Sequence, residues 1–349
     1  MLKNAIFAPD FKTTKQKLMQ KLKKRTVRLI LSALICQPAI VVMFASVLYK
    51  VTPFASYQWI VEKSTQIMWF YFASAIVLLI TSHKYWMFLS FGCCAALCMF
   101  MKTTSNEAFA YADKTDALAI KVANFNVSHA VNNIDTLVAG IINSEADLLS
   151  IQEVNPKLDS ILRNRLHDIF PNIYSYKSAD FYGMMICSKY PFGKTDTFSY
   201  QGIPNLVGCI DIEKEKCRLH FISTYLLPPF NAQTYEQMRG HLGTIAYKSQ
   251  EINAPLVVLG TFNTVPWSRE IQDFKAIGEL SDSRIGFAPT YPNNVPSILQ
   301  VPYDHIFHSK YLTCTEFKTV TTKATEHTGI EGVFQFVKSD EKIPTPAHK

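Results

Sequence analysis

The sequence predicts an α/β domain, strands covered by outer helices, preceded by three membrane-spanning helices. Three observations carry that reading. The apolar residues of the first third gather into three runs, strand and helix patterns alternate from residue 118 onward, and the positive charge is confined to the start of the chain. Of the 349 residues, 1–28 hold nine Lys or Arg and one Asp, a net of +8. The rest holds 26 basic and 27 acidic groups, so the whole-chain net charge of +7 belongs to the tail. A near-neutral domain lacks the basic field with which general nucleic-acid binders neutralise phosphates.

The run 29–48 is 20 residues without a charge, long enough to cross the hydrocarbon core. Pro38 interrupts it, which spanning helices tolerate where neighbours satisfy the freed carbonyl. The runs 67–81 and 85–101 are shorter, 15 and 17 residues, and only Ser82-His83-Lys84 separates them, so they read as a helical hairpin. Lys21, Lys23, Lys24, Arg25 and Arg28 mark 1–28 as a basic cytoplasmic tail by the positive-inside rule. Three spans over 29–101 then put the remainder on the opposite face. The expected location is the cytoplasmic membrane of a bacterium, multi-pass, with the water-soluble domain in the periplasm and the lipid bilayer as a partner.

Residues 102–117 are polar and aperiodic and read as a linker to a domain over 118–340, with a short tail at 341–349. The segment 118–127 is a buried strand. Ile134, Leu137, Val138, Ile141 and Ile142 recur at helical spacing behind a cap at Asn132 or Asn133. Strands are expected at 148–154, 183–188, 207–212, 218–226 and 256–260, with a helix over 234–250 between the last two. Cys209 and Cys217 flank the polar stretch Glu213-Lys214-Glu215-Lys216, which reads as a hairpin turn. They either face each other across it or remain unpaired thiols.

Several strands end in polar residues where a buried strand should simply stop. The first ends near Asn126, and the second places Gln152-Glu153 at its end. The strand around 222–225 finishes at Tyr225. VVLGTFNTVPWS at 257–268 carries Gly260-Thr261-Phe262-Asn263. Farther on come Pro289-Thr290-Tyr291-Pro292, Pro302-Tyr303-Asp304-His305 and Thr325-Glu326-His327. Their order resembles the endonuclease/exonuclease/phosphatase superfamily from about 118 to 336. The Gln-Glu pair after an apolar strand, GMMICSKYPF at 183–192 and the Gly-x-Phe-Asn stretch are its marks. The pairing of the Pro-Thr-Tyr-Pro and Pro-Tyr-Asp-His segments is similar to the membrane-anchored bacterial branch typified by YafD.

The resemblance implies two packed β-sheets flanked by helices, the four-layer DNase I-like sandwich. It implies that Glu153, Asn126 and Glu326 hold one divalent cation, Mg²⁺ or Mn²⁺, through oxygen ligands. His327, oriented by Asp304, donates to a phosphate oxygen, as does Tyr225, and Asn263 orients the phosphate or the attacking water. Two departures stand out: the family's usual Asp before the last His is Glu326 here, one methylene longer, and a weightier change lies at 261. Thr261 occupies the place of the family's Asp, whose carboxylate positions or deprotonates the water, and a Thr hydroxyl is too weak a base to replace it. The expected activity is a metal-dependent phosphodiesterase or phosphatase, weakened at Thr261. Its expected substrate is a lipid-linked ester, a nucleotide or another small phosphate ester, with long nucleic acid disfavoured. The alternatives are a pseudoenzyme serving as a tethered binding module and a periplasmic nuclease.

Overall fold

A computed structural model describes residues 11–51, 55–106, 108–128, 133–212 and 215–337. The tail at 341–349, the alternative cap Asn132, the turn at Glu213-Lys214 and the side chain of Cys217 lie outside the described residues.

The apolar third folds as helices α1 (Phe11–Val51), α2 (Ala55–Glu62), α3 (Ser64–Ile80) and α4 (Lys84–Ser105). α1 takes in most of the basic tail and kinks at Phe44. Two of the four, α1 and α4, contain a stretch long and apolar enough to cross a membrane, whereas α3 at 17 residues falls just short. Ala39, Val42, Tyr71, Cys93 and Leu97 pack α1, α3 and α4 together. The Tyr71 hydroxyl donates to the Ile35 carbonyl, one residue from the carbonyl that Pro38 leaves without an amide partner. Large apolar side chains point outward from all three helices, among them Leu29, Phe70, Ile80 and Phe88. An apolar surface of that extent marks a membrane or a protein interface.

The rest forms two six-stranded sheets. The first holds β1 (Ala119–Asn126), β2 (Leu148–Gln152), β3 (Asn172–Tyr176), β4 (Met184–Ser188), β11 (Leu312–Val320) and β12 (Gly329–Phe336) in the order β11-β12-β1-β2-β4-β3. The second holds β5 (Phe192–Tyr200), β6 (Ile203–Ile212), β7 (Glu215–Tyr225), β8 (Leu256–Thr261), β9 (Leu280–Asp282) and β10 (Asp304–Ser309) in the order β5-β6-β7-β8-β10-β9. Each sheet has one parallel pair, β1 with β2 and β7 with β8. A parallel pair needs a crossover, supplied by α5 (Ile134–Asn143) and α7 (Ala232–Glu251). The helices α6 (Pro156–Leu166) and α8 (Arg269–Gly278) complete the outer layers.

The layers follow from three apolar clusters. Val122, Leu148, Ile186, Phe221, Leu259 and Phe334 fill the space between the sheets. Leu137, Ile141, Leu158 and Leu162 seat α5 and α6 on the outer face of the first sheet. Met238, Leu242, Ile245, Ile271 and Phe274 seat α7 and α8 on the second. Side chains alternate across a strand, so each fully buried strand feeds one inner and one outer cluster. The caps are local: Asn133 accepts from Thr136 N, Asn155 from Leu158 N, Asn231 from Thr234 N and Ser268 from Ile271 N. Two glycines are required where strands approach backbone. A Cβ on Gly260, at φ +150°, would sit 1.9 Å from the Thr224 carbonyl oxygen, and one on Gly183 would sit 2.0 Å from that of Val154.

Candidate active site

The strand directions gather the polar ends. Asn126 closes β1, Glu153 follows β2, Tyr225 closes β7 and Thr261 closes β8, all at the carboxyl ends of the parallel pairs. β10 and β12 run antiparallel to β8 and β1, so Asp304, the first residue of β10, and His327, just before β12, meet the same edge. Asp304 pairs directly with Thr261 in the ladder, and Tyr225 pairs with Thr261 from the other side.

One line of side-chain hydrogen bonds runs through this edge. Asn126 Nδ2 donates to Glu153 Oε1 at 2.8 Å and, across the gap between the sheets, to Thr261 Oγ1 at 2.9 Å. Thr261 Oγ1 donates to Asp304 Oδ1 at 2.7 Å, and Asp304 Oδ2 binds His327 Nδ1 at 2.7 Å. With Nδ1 committed to Asp304, the His327 Nε2 edge is left for a ligand. Tyr225 faces Glu153 and Asn263, both of which act on its phenol. Asn263 Nδ2 donates to the Leu226 carbonyl at 2.6 Å. Beneath the line, Ser150 and Ser223 join the two sheets at 2.6 Å, and Gln152 Nε2 donates to both hydroxyls.

Burial sets the electrostatics. Asp304 would be raised by burial alone, but the His327 charge and the hydrogen bonds from His327, Thr290 and Thr261 hold its carboxyl below the ordinary range. Burial works against charge on His327, yet Asp304 and then Glu153 keep its imidazole above the ordinary value. Burial raises Glu153, outweighing the Asn126 bond and the His327 charge. It raises the Tyr225 phenol as well, with Glu153 adding to the effect, so that hydroxyl stays protonated and able to donate. Glu153 and Asn263 take positive φ, 61° and 50°. A left-handed backbone in a non-glycine residue costs of order 1–3 kcal/mol and persists where the surroundings over-determine it.

Seven of the eight residues expected to form the site are thus brought together. Glu326 is not part of the network: its side chain is exposed, although its charge reaches His327 and Tyr291. Thr261 is fully buried inside the network, its hydroxyl accepting from Asn126 and donating to Asp304. Two further residues shape the site. The buried Thr290 hydroxyl accepts from the Tyr303 and Asp304 amides, and the Tyr291 ring lies 4.7 Å from that of His327. Their signal was the Pro-Thr-Tyr-Pro segment, distinctive in sequence but without a role until its loop met β10.

A hard cation takes oxygen ligands, and Mg²⁺ in particular uses one or two carboxylates, keeps several waters and takes phosphate oxygens from its substrate. Glu153, a buried carboxylate with no Lys or Arg salt bridge among the described residues, and Asn126 beside it suit that donor set. No group of three or more His, Cys, Asp or Glu able to hold a metal occurs among the described residues. Any cation here therefore depends on water and substrate for most of its shell.

Similarity to known proteins bears on the fold and the family. Residues 123–326, more than half of the chain, match the model of the Endonuclease/Exonuclease/phosphatase family. No curated protein matches the chain. Among solved structures, one similar fold is an endonuclease/exonuclease/phosphatase family protein from Bacteroides thetaiotaomicron, 15% identical with a TM-score of 0.51, covering 64% of this chain and 100% of that one. A second is TDP2 from D. rerio complexed with single-strand DNA product, 16% identical, TM-score 0.52, covering 62% and 99%. A third is a mannosyl-6-phosphatase from Bacteroides thetaiotaomicron, 15% identical, TM-score 0.50, covering 62% and 100%. Identities this low speak for the fold alone. Sheet order, strand-end chemistry and the matched residues together make this chain a member of the endonuclease/exonuclease/phosphatase family, whose members are hydrolases acting on phosphate esters.

Proposed function

We propose that the chain is a membrane-anchored, metal-dependent hydrolase of phosphate esters, acting outside the cytoplasm. The observation that carries this reading is the unbroken line from Glu153 through Asn126, Thr261 and Asp304 to His327 at the carboxyl ends of both sheets. His327, held by Asp304 and favouring its charged form, donates from Nε2 to a phosphate oxygen. The protonated Tyr225 hydroxyl donates to the same group, and Asn263 beside it orients the ester. Glu153 and Asn126 are the residues that would hold a Mg²⁺-type cation, with the exposed Glu326 adding only its charge. Such an ion neutralises charge that develops on the phosphoryl group. Asp304 is committed to His327 and Thr261, so it is not free to activate water, and slow turnover is expected.

The anchoring part of the proposal rests on α1 and α4, long enough to span, and on their outward apolar side chains. Cys209 is disulfide-bonded, which suits an oxidising compartment beyond the cytoplasmic face. Near-neutral charge and a membrane tether favour a lipid-linked or small soluble ester over long nucleic acid. The Thr261 hydroxyl, its proton spent on Asp304, favours a second reading, a tethered module that binds a phosphate ester without cleaving it. The deciding assay is Mg²⁺-dependent hydrolysis of a panel of phosphomonoesters and diesters by the full chain and by Glu153→Ala. Turnover in wild type and its loss with Glu153→Ala support the hydrolase. Binding of the same esters without turnover moves the second reading ahead.

A further inference from the structure

α2, the short helix between the first and second apolar runs, is packed against the active-site end of the domain. Three hydrogen bonds cross the seam. Gln58 Nε2 donates to Thr264 Oγ1 at 2.8 Å, the Trp267 indole N–H to the Val61 carbonyl at 2.9 Å, and the Tyr303 hydroxyl to Glu62 Oε2 at 2.9 Å. Val61, Met101, Val265, Trp267 and Val301 close an apolar cluster around them. Gln58 and Glu62 are buried, only 7% and 8% exposed, and bonded to each other at 3.4 Å.

Two of the three partners in the domain are chain neighbours of site residues. Thr264 follows Asn263, and Tyr303 precedes Asp304. The Thr264 carbonyl is held in turn by His305 Nε2 at 2.9 Å, so residues on both sides of Asp304 are tied to α2. The end of α4 adds a second hold. Asn106 Nδ2 donates to the Asp282 carbonyl at 2.8 Å, Lys102 Nζ to that of Ile285 at 3.0 Å, and between them the Arg284 guanidinium donates to the Asp304 carbonyl. A plain tether needs none of this. Burying a carboxylate and an amide is costly unless their partners are specific, and both partners here lead to the site.

We propose that α2 is a positioning element of the active site: Glu62 and Gln58 hold Tyr303 and Thr264, and through them Asp304, His327 and Asn263, in working geometry. The proposal rests on the phosphate-ester reading of that site. It makes the apolar N-terminal block part of the catalytic apparatus in addition to an anchor. The joint is also proton-linked. Burial pushes Glu62 up to about 7, against the bonds from Tyr303 and Gln58 and the charge of Lys63, with Glu270 as the like charge facing it. A docked α2 holds this proton more tightly than an undocked one. Docking is therefore strongest near the ordinary carboxylate value of 4.5 and below, and weakens as pH rises from there through about 7, above which Glu62 is ionised in both states.

The test uses the full chain in lipid nanodiscs, with Mg²⁺-dependent hydrolysis of bis(p-nitrophenyl) phosphate and amide hydrogen exchange over 261–265 and 301–305. Glu62→Ala and Tyr303→Phe should each lower kcat about tenfold or more, since small misplacements of reacting groups are costly, while KM stays within about twofold. The double variant should be no slower than the worse single one. Glu62→Gln, which keeps an acceptor for Tyr303, should retain wild-type kcat. It should also abolish the extra exchange at 301–305 that wild type gains between pH 5 and 7. Unchanged kcat and unchanged local exchange in Glu62→Ala overturn the proposal. So does a rise in exchange spread over the whole domain, which marks a merely structural role. If wild type hydrolyses no phosphate ester, the functional reading fails, and exchange at the two segments alone decides whether α2 positions them.

Discussion

Replacing Thr261 by Asp restores the carboxylate at the position where the sequence leaves its family pattern, and it should have two opposed effects. Thr261 is fully buried, donating to Asp304 at 2.7 Å and accepting from Asn126 at 2.9 Å. The new carboxylate keeps an acceptor for Asn126 but removes the donor to Asp304 and faces it with a like charge. Two unit charges 4 Å apart repel by about 4 kcal/mol at an effective dielectric of about 20. A hydrogen bond from Asn126 to a charged rather than a neutral acceptor returns about 1 kcal/mol. The net destabilisation is about 3 kcal/mol at pH 8, roughly 6–12 °C in Tm for a domain of this size. It should fade as the pair takes up a proton at acidic pH, because a carboxylic acid can again donate to Asp304. A bound divalent cation offsets the repulsion, so Mg²⁺ should raise Tm more in Thr261→Asp than in wild type. In the diester assay the variant should gain about tenfold or more, since a general base contributes about 10²–10⁴. Thermal unfolding with and without Mg²⁺, followed by kinetics on the same preparation, checks both effects. If the variant without cation is as stable as wild type at pH 8, the Asn126–Thr261–Asp304 line is not as described. If it binds Mg²⁺ and folds but gains no rate, the missing base is not what limits turnover.

Acid should destabilise the domain through His241, which burial pushes down to about 4 while its Nε2 donates to Asn205. The unfolded chain takes up this proton near pH 6.5 and the folded one only near 4, so stability falls between those values, by about 3 kcal/mol in all. His241→Gln, which keeps a donor for Asn205, should shrink the difference in Tm between pH 7 and 5; an unchanged difference would count against it. For topology, a reporter active only in the periplasm and fused after Lys349 should be active, and activity of a cytoplasm-only reporter there would overturn the assignment.

Much of this molecule is written locally. The apolar runs of the first third, the helical spacing of Ile134, Leu137 and Ile141, and the polar ends of buried strands are short-range patterns, and each reappears where it was expected. The unread elements have physical reasons. β5 is an edge strand with its residues half exposed, so its pattern is diluted by Lys194, Thr195 and Asp196. α6 was legible after all, from the Asn155 cap, Pro156 and the spacing of Leu158, Leu162 and Leu166. The strand ends of the site were legible too, because a polar residue closing a buried strand is unusual wherever it stands. What joins them was not. Thr261 reads in sequence as the loss of a base, and only the pairing of β8 with β10 makes it the bridge between Asn126 and Asp304. The seam at α2 is the extreme case, for Gln58 and Thr264 lie 206 residues apart. Local sequence governs which segments become helix or strand, because backbone preference and side-chain periodicity act over a few residues. Which buried polar groups meet, and what burial does to Glu62, Glu153 and His327, depends on distances that arise only when the sheets and helices pack.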